Sequence, residues 1–287
     1  MSAFEPGGSI ASLASGKPGD GLGNPSLAKV KVRKERRLGL SAAQWTIGGT
    51  LIVAAILEAA PRIGLVEPFT LVPLSEMTIR AASLLGDPTF IADDLLPSLM
   101  AIGASFVIAS TLGIFMGLLI WRFPWLRRVF DPWLATYYAI PTFALYPLLV
   151  VILGVGTLPI ILLGTLFAIV AMISSTVDGL DAIPRPVLRL TQVLRMGTTQ
   201  RIFKVYLPAA IPQINVGLRL ALSYSLIMVL ASEFVLSTRG LGHFISNAYN
   251  DFVIRDMYAG VLLVFLLALG VNAVFAALLR RSMKGEP

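Results

Sequence analysis

VLRLTQVLRMGTTQRIFKVYLPAAIP, residues 187–212, lies between two long apolar runs yet carries Arg189, Arg195, Arg201 and Lys204. Apolar residues recur at helical spacing on both sides of Gly197: Leu190, Val193 and Leu194 before it, then Ile202, Val205 and Tyr206 after it. The pattern predicts two short helices joined at the glycine, the second ending before the Leu207-Pro208 step. A basic, amphipathic pair of this kind is not itself a membrane span. Placed between spans on a cationic side, it is a surface for docking something soluble.

The rest of the chain supplies the spans. Of 287 residues, 56% are apolar and only 14% are charged, against about 25% charged in a soluble domain. Mean hydropathy is +0.81. Runs near 20 apolar residues match a bilayer core of roughly 30 Å, and helices satisfy their own backbone there. The expectation is an all-α membrane protein with six spans: Ser41–Ala60, Leu95–Trp121, Pro132–Leu153, Leu158–Val177, Ile214–Leu236 and Met257–Leu279. With the amino terminus inside, the outer segments hold Arg62, Arg80, Arg239 and Arg255. Every other Lys and Arg falls on the inner side, Arg219 near a span end. This positive-inside asymmetry places both termini in the cytoplasm. It also accounts for the net charge of +7, so no nucleic-acid partner is called for.

Several chemistries are excluded. The chain has no cysteine, which removes disulfides, thiol catalysis and cysteine-bound metal. A single histidine, His243, cannot anchor a histidine metal cluster. No nucleophile, base or metal set clusters in the sequence, and Asp93-Asp94 reads as a solvated cap before the second span. The stretch ASGKPG fails as a phosphate loop because Pro18 follows Lys17 where Ser or Thr is required.

Residues 1–40 form a basic tail, largely disordered on composition: Gly, Ser, Ala and Pro precede the juxtamembrane run KVKVRKERR. Residues 41–94 hold the first span and an external segment, with a surface helix expected from Ser75 to Leu85 and Ser75 or Asp87 as caps. Gly113 and Gly117 permit close helix approach. The third span contains both Pro141 and Pro147, each removing a backbone donor. It brings Tyr137, Tyr138 and Tyr146 to membrane depth, either as interfacial and packing residues or as the lining of a cavity. Pro141, Phe143, Tyr146, Pro147 and Tyr224 are the candidates for a translocation path. Glu233, near the outer end of the fifth span, is either a helix lock or a gate group.

These residues, taken together, resemble the permeases of binding-protein-dependent ABC importers. The resemblance covers roughly residues 95–280 and is carried by Gly197, Val205-Tyr206-Leu207-Pro208, Gly217-Leu218-Arg219-Leu220-Ala221, Ala231-Ser232-Glu233, Arg239-Gly240-Leu241-Gly242 and Pro141…Pro147…Gly154-Val155-Gly156. The nitrate, sulfonate, taurine and bicarbonate branch is the most similar. The resemblance implies the type I importer permease fold, with a core over 95–287 and coupling helices at 181–207. It implies a permease dimer, usually of identical chains, with two cytoplasmic ABC ATPase subunits and an extracytoplasmic substrate-binding protein. It implies residence in a bacterial inner membrane and uptake of a small organic or inorganic anion. The chain itself would be non-catalytic and carry no cofactor, ATP and Mg²⁺ residing on the ATPase. Docking would fall to Arg189, Arg195, Gly197, Arg201, Leu207 and Pro208. One departure stands out: the family's Glu-Ala-Ala positions are Thr191, Gln192 and Val193, so the acidic residue is missing and docking rests on Arg189, Arg195 and shape. The competing class is a self-sufficient secondary transporter or channel, against which count the lack of inverted repeats and of membrane acid pairs.

Topology is directly testable. Reporter fusions should place residues 62–94 and 237–256 outside and residues 187–206 inside; an outside location for 187–206 would contradict the whole reading.

Overall fold

The computed structural model describes residues 42–66, 70–137 and 141–284, and among these every regular element is a helix. The amino-terminal tail and Tyr138 lie outside the described residues. By contact the chain divides into residues 1–47 and 48–287, and every contact given below lies within the second unit. In order, the helices are α1 (Ala42–Arg62), α2 (Leu74–Leu85), α3 (Pro88–Phe90), α4 (Leu96–Arg122), α5 (Pro124–Tyr137), α6 (Tyr146–Leu153), α7 (Thr157–Asp181), α8 (Arg185–Val193), α9 (Thr198–Arg201), α10 (Leu207–Leu236), α11 (Leu241–Asn250) and α12 (Ile254–Lys284). A π-helical turn, Ile91–Leu95, joins α3 to α4, and a second, Ile202–Tyr206, joins α9 to α10.

The centre of the fold is α7, packed most extensively against α10 and α4. In its most apolar window 67% of residues are buried, against 6% for α12, so α7 is the core helix and α12 the peripheral one. Lipid tails are as apolar as leucine, so cohesion here comes from close packing rather than from removal of water. Glycines set the closeness. A Cβ added at Gly113 would lie 2.6 Å from Cβ of Met172, and one at Gly117 would lie 2.7 Å from Cβ of Thr176. On the other side of α7, a Cβ at Gly217 of α10 would lie 2.7 Å from Cβ of Ser175. The Gly113/Gly117 spacing is thus a packing seam against α7.

Three expectations need correction. The third span is not one helix from Pro132 to Leu153. Its first part belongs to α5, which begins at Pro124. After Pro141 comes a 3₁₀ turn, Thr142–Leu145, and then α6. Pro141 and Pro147 lack the amide hydrogens a continuous helix needs there, and Gly154 at φ 81° ends α6. Against the six spans expected, four helices among the described residues are long and apolar enough to cross a bilayer, those containing α4, α7, α10 and α12; α1 is not among them, and Thr142–Leu153 is shorter.

The second correction concerns Pro208. The helix does not stop before it: the π turn hands the chain from α9 directly into α10, with Leu207 N–H bonded to the carbonyl of Ile202. Pro208 then follows directly on the π turn, and this irregular turn is the device that accommodates its missing N–H. The third concerns the external segment. Its helix forms as expected, but Ser75 does not cap it through its own side chain. Instead Glu58 of α1 accepts from the Ser75 amide and hydroxyl, each at 2.9 Å. Asp87 does cap, accepting from the Thr89 amide at 2.9 Å and hydroxyl at 2.7 Å. Those two bonds, the hydroxyl's first, hold its carboxyl below the usual carboxylate range.

Gly117→Val should therefore push α4 off α7 and cost about 1–3 kcal/mol. Gly103→Ala, with nothing within 4 Å of the added carbon, should leave thermal stability in detergent unchanged or slightly raised.

Candidate functional site

The basic segment 185–206 is built by two different devices. α8 begins after Pro184 and ends in a Schellman turn: Met196 N–H bonds to the carbonyl of Thr191 at 3.2 Å and Arg195 N–H to that of Gln192 at 3.0 Å. Arg195 takes the left-handed position at φ 48°. The bend between the short helices is thus made at Arg195 rather than at Gly197. Gly197 has φ −65° and ψ 157° and is the N-cap residue of α9, a conformation open to any residue. A Cβ there would meet nothing within 4 Å.

The faces of α8 divide cleanly. Thr191 is buried and its hydroxyl donates to the Leu188 carbonyl at 2.7 Å. Leu190, Val193 and Leu194 are 56%, 78% and 62% exposed, an apolar stripe left uncovered among the described residues. Arg189 and Arg195 flank it and are exposed, whereas Arg201 is half-buried. Leu207 is half-buried and Pro208 exposed in the first turn of α10. Nearby, Arg127 of α5 pairs with Asp181 at the end of α7 at 2.8 Å, fixing the loop side of α5 to the core helix.

The opposite end of α10 holds the buried carboxyl of Glu233, 2% exposed. Its Oε2 accepts from Ser98 Oγ of α4 at 2.6 Å and from the Gly242 amide at 3.1 Å. The Leu241 amide donates in turn to Ser98 Oγ at 2.8 Å. The acid therefore sits at the amino end of α11, where free amides and the helix dipole favour an anion. Gly240 is required twice over: its φ is 107°, and a Cβ there would lie 2.6 Å from Glu233 Oε1. At Gly242 an added carbon would collide with the Leu230 carbonyl. The Arg239-Gly240-Leu241-Gly242 run is thus a cradle for Glu233, and the arrangement is a latch binding α4, α10 and α11 together.

The structure brings only some of the pathway candidates together. Tyr146 is fully buried, its hydroxyl donating to the Leu236 carbonyl at 3.2 Å. Its ring stacks on Phe143 at 6.5 Å. In this conformation Tyr146 faces the bundle interior rather than an open path, because α6 needs a bulky anchor against the outer end of α10. Pro141, Phe143 and Pro147 are exposed on the same broken element. Tyr224 is elsewhere, half-buried in mid-helix against Phe167 at 5.0 Å. Tyr137 donates to the Leu166 carbonyl at 2.8 Å, tying α5 to α7. Sequence reasoning missed Ser98 altogether. It stands 135 positions from Glu233, and no local pattern marks a serine as the partner of a distant acid.

Two measurements follow. Phe143→Cys should react with a small polar thiol reagent in the resting protein while Tyr146→Cys stays inert; the reverse order would contradict the burial. Ser98→Ala strands the Leu241 amide and removes one bond to Glu233, and should lower stability by about 1–3 kcal/mol.

Comparison with known proteins places this architecture. Residues 109–284 match the family model described as binding-protein-dependent transport system inner membrane component. The chain is 30% identical over 244 residues to the taurine transport system permease protein of Escherichia coli K12, covering 80% of this chain and 86% of that one. It is 27% identical over 181 residues to the nitrate import permease protein of a Synechocystis strain, covering 63% and 66%. The fold matches a chain of the inward-facing MetNI methionine ABC transporter with a TM-score of 0.59 at 18% identity, over 75% of this chain and 98% of that one. All-helical, membrane-embedded and built as a type I ABC importer permease, the chain belongs to the family of binding-protein-dependent transport system inner membrane components.

Proposed function

We propose that the chain is the transmembrane subunit of an ATP-driven importer that carries a small organic or inorganic anion into the cytoplasm. The chain does no catalysis and holds no cofactor. A separate pair of cytoplasmic ATPase subunits binds ATP and Mg²⁺, a second permease of the same sequence completes the path, and an extracytoplasmic binding protein delivers the solute. Both termini and the α8–α9 segment face the cytoplasm of a bacterial inner membrane. Similarity to taurine and nitrate permeases supports the anion class.

The observation that carries the reading is the uncovered surface of α8 and the turn after it. An apolar stripe of Leu190, Val193 and Leu194, edged by Arg189 and Arg195, has no cover among the described residues. Gly197 is exposed and meets nothing of its own fold, so the docking reading assigns it close backbone approach by something from outside. The ATPase fits that requirement. It would close on Gly197 and seat the stripe, and its ATP-driven movement would pass through the π turn into α10. The exposed Pro141, Phe143 and Pro147 would line the path between the two permeases.

Gly197→Asp separates folding from docking. Asp is a favoured N-cap and meets no obstruction here, so the variant should insert and melt as the parent does or about 0.5 kcal/mol higher. Uptake in proteoliposomes should nevertheless collapse, with ATP hydrolysis uncoupled from transport. Unchanged uptake with the ATPase normally bound would reduce the segment to a basic connecting loop.

A further inference from the structure

A groove of about 520 Å³ lies between the end of α4 and the α9 turn, away from the α8 stripe. Its walls are of two kinds. Phe115, Leu119 and Phe203 form an apolar trough, and both phenylalanines are more than half exposed, at 57% and 67%. Trp121 and Tyr206 close its floor, edge to face at 5.2 Å. Arg122, Arg201 and Thr198 complete the lining. No carboxylate lines the groove, and neither arginine forms an ion pair among the described residues. The Nε of Arg201 is buried with no hydrogen-bond partner. Leaving a guanidinium N–H buried and unpaired is costly; that atom is closed to solvent, so an anion in the groove would act on it through the charge of the half-buried Arg201 rather than by a direct bond to Nε.

We infer that this groove binds one anionic phospholipid of the leaflet on the α8–α9 side, its phosphate held by Arg201 and Arg122 and its acyl chain along Phe115, Leu119 and Phe203. The position suits an amphiphile. A tryptophan and a tyrosine mark the membrane–water boundary, and the arginines stand where a long apolar helix ends. Guanidinium geometry favours a phosphate held by two N–H groups. The apolar trough sets a lipid apart from free phosphate, which has nothing to place there. The site also touches the coupling path, because Arg201 and Tyr206 bound the π turn that joins α9 to α10. A lipid seated there braces that turn against the end of α4.

Trp121 is a built-in probe. In a full-length chain retaining only this tryptophan (Trp45→Phe, Trp125→Phe, Trp133→Phe), brominated phosphatidylglycerol should quench its fluorescence at a mid-point about thirtyfold lower than brominated phosphatidylcholine, from roughly 1 kcal/mol for each of the two arginines at the surface. Arg122→Gln with Arg201→Gln should abolish the difference while leaving the melting temperature within a few degrees. Equal quenching by the two lipids overturns the inference, as does a preference that survives in the double variant. If millimolar inorganic phosphate erases the preference, the groove is an anion site and not a lipid site. If the preference is present in the isolated chain but lost once ATPase subunits are bound, the groove belongs to them, and the lipid assignment fails.

Discussion

Backbone contact along α7 is the constraint on which the rest depends. Without the glycines at 113, 117 and 217, α4 and α10 stand off from α7, and the apolar side chains between them have nothing to interlock with. Close packing of this kind is not continuously adjustable. It gives one register in which Thr176, Met172 and Ser175 each face a glycine, and that register fixes where the two ends of α10 lie. Everything with functional interest is attached at those ends.

At one end α10 runs back without a break through the π turn to Thr198, so α9 and the span are one helix in series, while α8 stands across the bend at Arg195. At the other end Glu233 grips α11 and α4. The two ends also share a backbone device. Among the described residues Arg195 and Phe252 are the non-glycine residues with positive φ, 48° and 56°, and each sits at the left-handed position of a Schellman turn. The second is formed by Val253 N–H to the Ala248 carbonyl at 2.8 Å and Phe252 N–H to that of Tyr249 at 3.2 Å. Each costs about 1–2 kcal/mol relative to an ordinary conformation. Phe252 is 83% exposed, so neither residue recovers that cost by burial, and both present long side chains at the surface. Such strain persists where the surrounding turn over-determines it.

Much of this was legible in the amino-acid sequence, for physical reasons that also explain what was not. Apolar run length marked the helices containing α4, α7, α10 and α12 because the bilayer acts on every residue separately. The basic segment 185–206 was visible because its arginines interrupt an apolar context. The helix boundaries around proline were misjudged. Proline forbids a particular hydrogen bond but not a helix, and the π turn at 202–206 directly before Pro208 absorbs the loss. Tyr146 looked like a wall residue because a hydroxyl in a span needs a partner; the partner is the Leu236 carbonyl, 90 positions away, and only tertiary structure supplies it. Glu233 was placed correctly as costly, while its neutralising set, Ser98 and the α11 amides, is assembled from three helices and leaves no spacing to detect.

The central claim is that a push on the α9 turn reaches the outer latch through a rigid, continuous helix. Its direct test is a spin–spin distance within one chain between labels at Gln200→Cys and Phe234→Cys, in assemblies where only one permease copy is labelled. The native chain has no cysteine to interfere. An unbroken helix predicts a single distance near 50 Å, from about 1.5 Å per residue, unchanged within about 2 Å between the nucleotide-free and ATP-trapped states. A second population, or a shift as large as one helical turn of about 5 Å, would show that the π turn is a hinge and that the movement is absorbed there instead of transmitted.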